Sequence, residues 1–116
     1  MTAGEADLVA ALAAIDRRAR AYSPNAWRAR GRADIAFGLA ARLIELSHAA
    51  GTGVPAGTGA PQVAEHGIAD VLTVLGQDLL AALAARPDAE LSAAAVHAVT
   101  GALAALDATT HPDAVP

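Results

Sequence analysis

The sequence predicts an all-α fold, an antiparallel four-helix bundle with two long central helices. Two observations carry this prediction. Alanine, the strongest helix former, occupies 34 of the 116 positions. Apolar residues also recur every three or four positions in four segments, which is the spacing of one face of a helix. A chain of this length forms one domain around a single core.

The expected elements follow from this periodicity and from the helix breakers. Four helices are predicted, over residues 5–21, 24–50, 61–86 and 88–107. The loop at residues 51–61 contains four glycines and two prolines and cannot continue a helix. It is long enough to cross the length of a bundle or to form a flexible tip. Residues 1–107 make up the domain, and residues 108–116 are expected to be a disordered tail.

The second helix has a clear beginning and an unusually wide apolar arc. Ser23 is expected to cap it, with Pro24 at the first helical position. The arc is wider than one core contact requires. Two glycines lie beside it, Gly31 and Gly38, and an interior glycine costs up to about 1 kcal/mol. Both glycines are therefore expected to allow close approach of a neighbouring backbone.

These features predict a helix-contact or dimer strip. It consists of Gly31, Asp34, Gly38, Leu39, Arg42, Leu43, Leu46 and, from the third helix, Asp78. A chain of this size has few other ways to cover the wide arc, so a homodimer is the expected state.

The third helix echoes the second at an offset of 36 residues. Residues 31–35, GRADI, align with residues 67–71, GIADV. In a chain so rich in alanine and leucine, either coincidence or an internal duplication explains the match. The alignment also places Arg42 opposite Asp78 and predicts an ion pair between the two packed helices.

Charge is divided unevenly along the chain, which has a net charge of −4. Residues 1–42 hold seven arginines against four acids, whereas residues 43–116 hold one arginine against eight acids. Such asymmetry indicates that the two halves face each other, within a chain or between chains. The net negative charge argues against a general nucleic-acid binder.

The composition also disfavours several classes of function. Without lysine the chain has no Schiff-base residue, and without cysteine it has no disulfide and no thiolate chemistry. The three serines have no visible His/Asp grouping, so catalysis is not the expected function. No apolar run approaches the roughly 20 residues of a membrane span, and the acidic N-terminal sequence is unlike a signal peptide. A cytoplasmic protein with no membrane association is expected.

Six arginines are concentrated around the expected first turn. They are Arg17, Arg18, Arg20, Arg28, Arg30 and Arg32. Cations near a helix N-terminus are unfavourable by roughly 0.3–1 kcal/mol each, so the last three require compensation. Acids from the C-terminal half, a partner chain or a bound anion would supply it. With Tyr22 and Trp27, the residues Arg28, Arg30 and Arg32 form a candidate site for a phosphate or carboxylate. The alternative is an ion-paired bundle end without a ligand.

No metal or cofactor is expected. Glu45-x-x-His48 has the spacing of a carboxylate-bridged di-iron site, but such a site needs a second copy of the motif, which is missing. His66 and Asp70 lack a third ligand. Two functions remain open. One is a non-enzymatic interaction module that acts as a homodimer or through a protein partner. The alternative is a small-ligand binder that recognises an anionic group at the Arg-rich end.

Overall fold

The computed structural model describes residues 1–55, 57–61 and 63–110. All regular secondary structure in this part of the chain is helical, as predicted. The elements are α1 (Ala3–Ala21), α2 (Pro24–Arg28), α3 (Arg32–Ala49), a 3₁₀ turn (Glu65–Gly67), α4 (Ile68–Ala85) and α5 (Ala89–Thr110).

The helix predicted over residues 24–50 is in fact two helices, α2 and α3. Between them, Arg30 and Gly31 have positive φ angles of 57° and 72°. A left-handed pair cannot continue a right-handed helix, so the chain turns here. Within the described chain, no neighbouring backbone approaches Gly31 closely. A Cβ at this position would meet no atom within 4 Å, and glycine serves the left-handed turn instead.

The other helix ends lie close to the predicted ones, with two differences. α4 begins at Ile68 rather than at residue 61, because the chain is still extended at Ala64. α5 continues to Thr110, so residues 108–110 are helical and not part of a disordered tail. Residues 111–116 lie outside the described part of the chain. The predicted cap of α2 is confirmed, since the Ser23 hydroxyl accepts a hydrogen bond from the N–H of Ala26 at 3.1 Å.

Four long helices surround the core. α1 packs against α4 and α5, and α3 packs against the same two helices, so α1 and α3 lie diagonally. The end of α1 meets the end of α5 through Arg18 and Asp107, which makes these helices parallel. The beginning of α3 meets the end of α5 through Arg32 and Thr109, which makes them antiparallel. α4 starts beside the end of α1 and runs antiparallel to it.

Since α3 and α4 are parallel neighbours, the chain between them has to return along the length of the molecule. Its first part, residues 50–55, is tied to α3. The Thr52 N–H and hydroxyl donate to the Ser47 carbonyl at 3.2 and 2.9 Å, and His48 Nδ1 lies 2.7 Å from the Val54 carbonyl oxygen. Of the two predicted forms of this loop, the crossover is the one that the structure contains.

The core draws on every α-helix. Its most deeply buried side chains are Leu8, Leu43, Ile68, Leu79, Leu83, Val99 and Leu106. The short α2 contributes Trp27, which is only 2% exposed. At the α1–α4 contact, a Cβ added to Gly76 would lie 2.7 Å from Cδ2 of Leu12. A larger residue at position 76 would therefore require the Leu12 side chain to move.

Candidate functional site

The Arg-rich end is largely neutralised by acids from the C-terminal half of the chain. Three ion pairs achieve this, namely Arg18–Asp107, Arg20–Asp70 at 3.2 Å and Arg28–Glu65 at 3.1 Å. Of the three sources of compensation that the sequence suggested, intramolecular acids account for these arginines. Three arginines of the first half are thus paired with acids of the second half within one chain.

Arg32 is compensated by backbone and hydroxyl oxygens rather than by an acid. Its Nη1 donates to the carbonyl of Ala26 at 2.9 Å, and its Nε donates to the hydroxyl of Thr109 at 2.9 Å. The guanidinium also lies 4.9 Å from the ring centre of Tyr22. Although Arg32 begins α3, it reaches the C-terminal turn of α5, where the helix dipole favours a cation.

The two aromatic residues of the candidate anion site have mainly a packing role. Tyr22 and Trp27 form an edge-to-face pair with ring centres 5.0 Å apart, a favourable aromatic geometry. Because Trp27 is buried, it anchors α2 on the core. It still lines one wall of a cavity of about 300 Å³. That cavity is bordered by Ala19, Arg20, Tyr22, Pro24, Trp27, Glu65, His66 and Ala69.

An anion in this cavity would face a carboxylate. The pKa of Glu65 is held below its usual value near 4.5 by a hydrogen bond from its own backbone N–H and by the Arg28 guanidinium. Glu65 is therefore ionised at neutral pH. Arg32 points away toward α5, and Arg30 is exposed on the left-handed turn. The structure thus does not gather Arg28, Arg30 and Arg32 around one point.

Arg17 and Arg30 differ from the other four arginines of this end. Both are exposed, and neither makes a hydrogen bond or an ion pair within the described residues. Arg30 also occupies a φ region that non-glycine residues rarely adopt. These two guanidinium groups are the part of the cluster that stays available to a partner.

The predicted helix-contact or dimer strip divides into a buried and an exposed part. Leu39, Leu43 and Leu46 lie in the core, so the wide apolar arc of α3 is covered largely by the chain's own helices. The exposed part comprises Gly31, Asp34, Gly38, Arg42 and Asp78.

The predicted Arg42–Asp78 ion pair is wrong. Arg42 Nη1 instead bonds Glu45 on its own helix, at 3.2 Å. A partner three residues along the same helix is within easy reach of an arginine side chain. The alignment at an offset of 36 residues compares Arg42 only with Asp78, so it does not take account of Glu45 on the same helix. Asp78 lines a cavity together with Thr52 and Val54 of the crossover loop.

Gly38 and Gly101 are exposed glycines inside long helices. A Cβ at either position would meet no atom within 4 Å. Neither glycine is therefore required by contacts within the described chain, unlike Gly76. α3 and α5 are antiparallel neighbours, and the contact of Arg32 with Thr109 sets their register. This register brings Gly38 and Gly101 to similar positions along the axes of the two helices.

Sequence reasoning missed one polar feature of the core. Ser47 is 3% exposed, and its hydroxyl oxygen is buried without a hydrogen-bond partner among the described residues. A signal was available, because Ser47 continues the i+4 series of Leu39 and Leu43 along the buried face of α3. In the sequence, Ser47 is thus a polar residue within an apolar series.

Two further findings concern metals and membranes. Among residues 1–55, 57–61 and 63–110, no group of three or more His, Asp or Glu side chains is placed to hold a metal ion. Two segments are long and apolar enough to cross a membrane by length and composition, Glu65–Ala85 and Ala89–Thr110, with mean hydropathies of 1.6 and 1.4. Mostly buried core helices of soluble proteins pass the same test, and 28% and 22% of these two segments are buried here.

Comparison with known proteins gives no match at a significant level, whether with family models, curated proteins or solved structures. The function is therefore inferred from the geometry of this chain alone.

Proposed function

We propose that the protein is a non-enzymatic helical interaction module, which acts as a homodimer or through a protein partner in the cytoplasm. Its framework would be a four-helix bundle of α1, α3, α4 and α5, with α1–α4 and α3–α5 as antiparallel pairs. The contact surface would be the outward side of α3 and α5. Exposed Gly38 is the observation that carries this proposal.

A glycine inside a helix lowers stability by up to about 1 kcal/mol relative to alanine. Among the described residues no contact explains that cost at Gly38, since there is room for a side chain. The cost is explained if a second backbone approaches α3 there in a complex. Gly101 supports the same interpretation on the neighbouring helix.

The charges beside Gly38 suit a surface that contacts a copy of itself. Asp34, Arg42 and Glu45 are exposed on α3, so both signs of charge occur on one helix face. In a two-fold symmetric dimer, each patch meets the same patch on the other subunit. A patch with both signs allows opposite charges to meet, whereas a patch with one sign repels its copy.

Light scattering at micromolar concentration tests the proposal. The wild-type protein is expected to have the mass of a dimer, and Gly38→Arg is expected to be a monomer because the added side chain blocks close approach. Ala10→Arg is the matched control, since Ala10 is exposed on α1, away from the proposed surface. A monomeric wild-type protein would sink the self-association proposal, and a dimeric Gly38→Arg variant would exclude this surface.

The alternative function is recognition of an anionic small molecule at the Arg-rich end. The cavity beside Arg20, Tyr22 and Trp27 and the exposed guanidinium of Arg30 favour it. The carboxylates of Glu65 and Asp70 oppose it, because they already occupy two of the arginines. We rank this function second for that reason.

A further inference from the structure

The exposed side of α3 carries opposite charges at equal distances from Gly38. Asp34 lies four residues before this glycine, and Arg42 lies four residues after it. All three are exposed, and at about 100° per residue they lie within about 80° of one another on the helix surface. A two-fold axis through Gly38 would therefore place each Asp34 opposite an Arg42 when α3 packs antiparallel to a copy of itself.

Both charged groups are able to take part in such a contact. Asp34 is exposed, and it forms no hydrogen bond or ion pair within the described residues. Arg42 donates to Glu45 through Nη1 at 3.2 Å, and its side chain remains 47% exposed. Because a guanidinium group has five N–H donors, this bond leaves donors for a second carboxylate. An intermolecular pair would add to the bond within α3 and would not have to break it.

Gly38 lies where the two backbones would approach most closely. A residue on the two-fold axis meets its own copy, so any side chain at position 38 would meet the same side chain of the partner subunit. Glycine removes that obstacle and allows close approach of two helix backbones. Among the described residues a Cβ at Gly38 would meet no atom within 4 Å, so the space on this side of α3 is open to a partner.

The charges favour the antiparallel arrangement over a parallel one. Parallel copies of α3 would place Asp34 opposite Asp34 and Arg42 opposite Arg42, and like charges across an interface are unfavourable. The antiparallel arrangement replaces these repulsions with two attractions. A charge order that is complementary to its own reverse fits a second copy of this chain, whereas an unrelated partner places no such requirement on it.

The same axis brings a second pair of charges close together. Glu45 lies seven residues after Gly38, and Gly31 lies seven residues before it, so the turn that precedes α3 falls at the level of Glu45 of the partner subunit. Arg30 on this turn is exposed and forms no hydrogen bond or ion pair within the described residues. The Glu45 side chain is 66% exposed, although the crossover loop passes beside it. Arg30 thus gains a carboxylate in the dimer that it lacks among the described residues of one chain.

We infer that two copies of the chain pack α3 against α3 in antiparallel orientation. The two-fold axis lies at Gly38, and Asp34 of each copy pairs with Arg42 of the other. This inference rests on the self-association in the proposed function. It adds the orientation of the two helices, their register and the charged residues that select a second copy as the partner.

Sedimentation equilibrium of full-length charge variants tests the inference. Asp34→Arg and Arg42→Asp each replace two attractive pairs with two repulsive ones, so each is expected to raise the dissociation constant of the dimer roughly 10- to 100-fold. The variant that carries both reversals restores opposite charges, and it is expected to bind at least about 5-fold more tightly than either single variant. Asp7→Arg, at an exposed acid of α1, is the matched control and should keep the wild-type dissociation constant.

The outcomes separate this inference from the proposal on which it rests. A monomeric wild-type protein would contradict both. A dimeric wild type whose dissociation constant is unchanged in Asp34→Arg and Arg42→Asp would overturn the inference and leave self-association in place. In an equimolar mixture of the two single variants, native mass spectrometry should show mainly heterodimers, because arginines of one chain then meet aspartates of the other. The proportion that random pairing gives would contradict the charge pairs.

Disulfide cross-linking tests the register, since the chain contains no cysteine of its own. An equimolar mixture of Asp34→Cys and Arg42→Cys is expected to form a linked heterodimer under mild oxidation. Asp34→Cys alone should not form a linked homodimer, because the two substituted positions would lie about 12 Å apart along the helices, whereas a disulfide requires Cα atoms within about 7 Å. Efficient linkage of Asp34→Cys alone, or no linkage in the mixture, would contradict the antiparallel register.

Discussion

The Arg-rich end and the buried Ser47 of α3 differ in how far their polar groups are already paired. The Arg-rich end has the most conspicuous charges in the sequence, yet four of its six arginines bond groups within the chain. Ser47 lies in an inconspicuous apolar series, yet its buried hydroxyl has no hydrogen-bond partner among the described residues.

A high density of charge along a sequence therefore indicates that these charges need partners. It does not by itself indicate that they bind a ligand. Ion pairs at an exposed bundle end contribute little individually, with a median of about 0–1 kcal/mol. They nevertheless remove the free charge that an anion would use. A buried polar group without a hydrogen-bond partner is rarer than an exposed ion pair.

The largest expected effect is the loss of stability when Trp27 is replaced. It tests whether the aromatic residues of the Arg-rich end serve packing rather than ligand binding. Trp27→Ala should lower the free energy of unfolding by about 3–5 kcal/mol, because it removes a large buried side chain that anchors α2. Urea denaturation followed by far-UV circular dichroism measures this loss. Trp27→Phe keeps part of the packing and should lose less. If Trp27→Ala has the same free energy of unfolding as the wild type, Trp27 does not anchor α2, and its role in packing is contradicted.

Ser47→Ala should instead raise the free energy of unfolding. It removes an unpaired buried hydroxyl, so stability should rise by about 1 kcal/mol. Ser92→Ala serves as the reference, because the gain in helix propensity from serine to alanine is common to both variants. In the same urea experiment, Ser47→Ala is expected to have a higher free energy of unfolding than Ser92→Ala. A loss of stability in Ser47→Ala would show that the hydroxyl is paired in solution.

The ion pairs of the Arg-rich end should make the free energy of unfolding sensitive to acid. The lowered pKa of Glu65 means that its contribution to stability is present above its ordinary value near 4.5 and is lost as the pH falls through the folded-state value. Between about pH 5 and pH 3 the wild type should therefore lose more stability than Glu65→Gln. Urea denaturation at several pH values measures the two slopes. Glu90→Gln, at an exposed glutamate, should keep the wild-type slope.

The sequence predicted the fold class and most helix ends because those depend on local chemistry. Ser23 and Pro24 began α2 as expected, and the leucine periodicity identified the core. The break at Arg30 and Gly31 was not predicted, because a single glycine does not distinguish a left-handed turn from a tolerated helix interior. Pairing choices such as Arg42 with Glu45, and the direction of α5 relative to α1, depend on tertiary geometry that periodicity does not contain.

The smallest expected effect concerns anions. At matched ionic strength, replacing chloride with phosphate should shift the melting temperature of the wild type by less than about 1 °C, because Glu65 and Asp70 already occupy Arg28 and Arg20. A phosphate site filled at ten times its dissociation constant would add about 1.4 kcal/mol. A gain of that size raises the melting temperature of a small domain by several degrees.

The variant that combines Arg28→Gln, Arg30→Gln and Arg32→Gln completes the phosphate experiment. It is expected to be less stable in both buffers, since it loses the bonds to Glu65 and Thr109. The informative quantity is therefore the difference between phosphate and chloride within each protein. A difference of several degrees in the wild type that vanishes in the variant would establish the anion site. It would also show that exposed arginines that are already paired within the chain still bind a ligand.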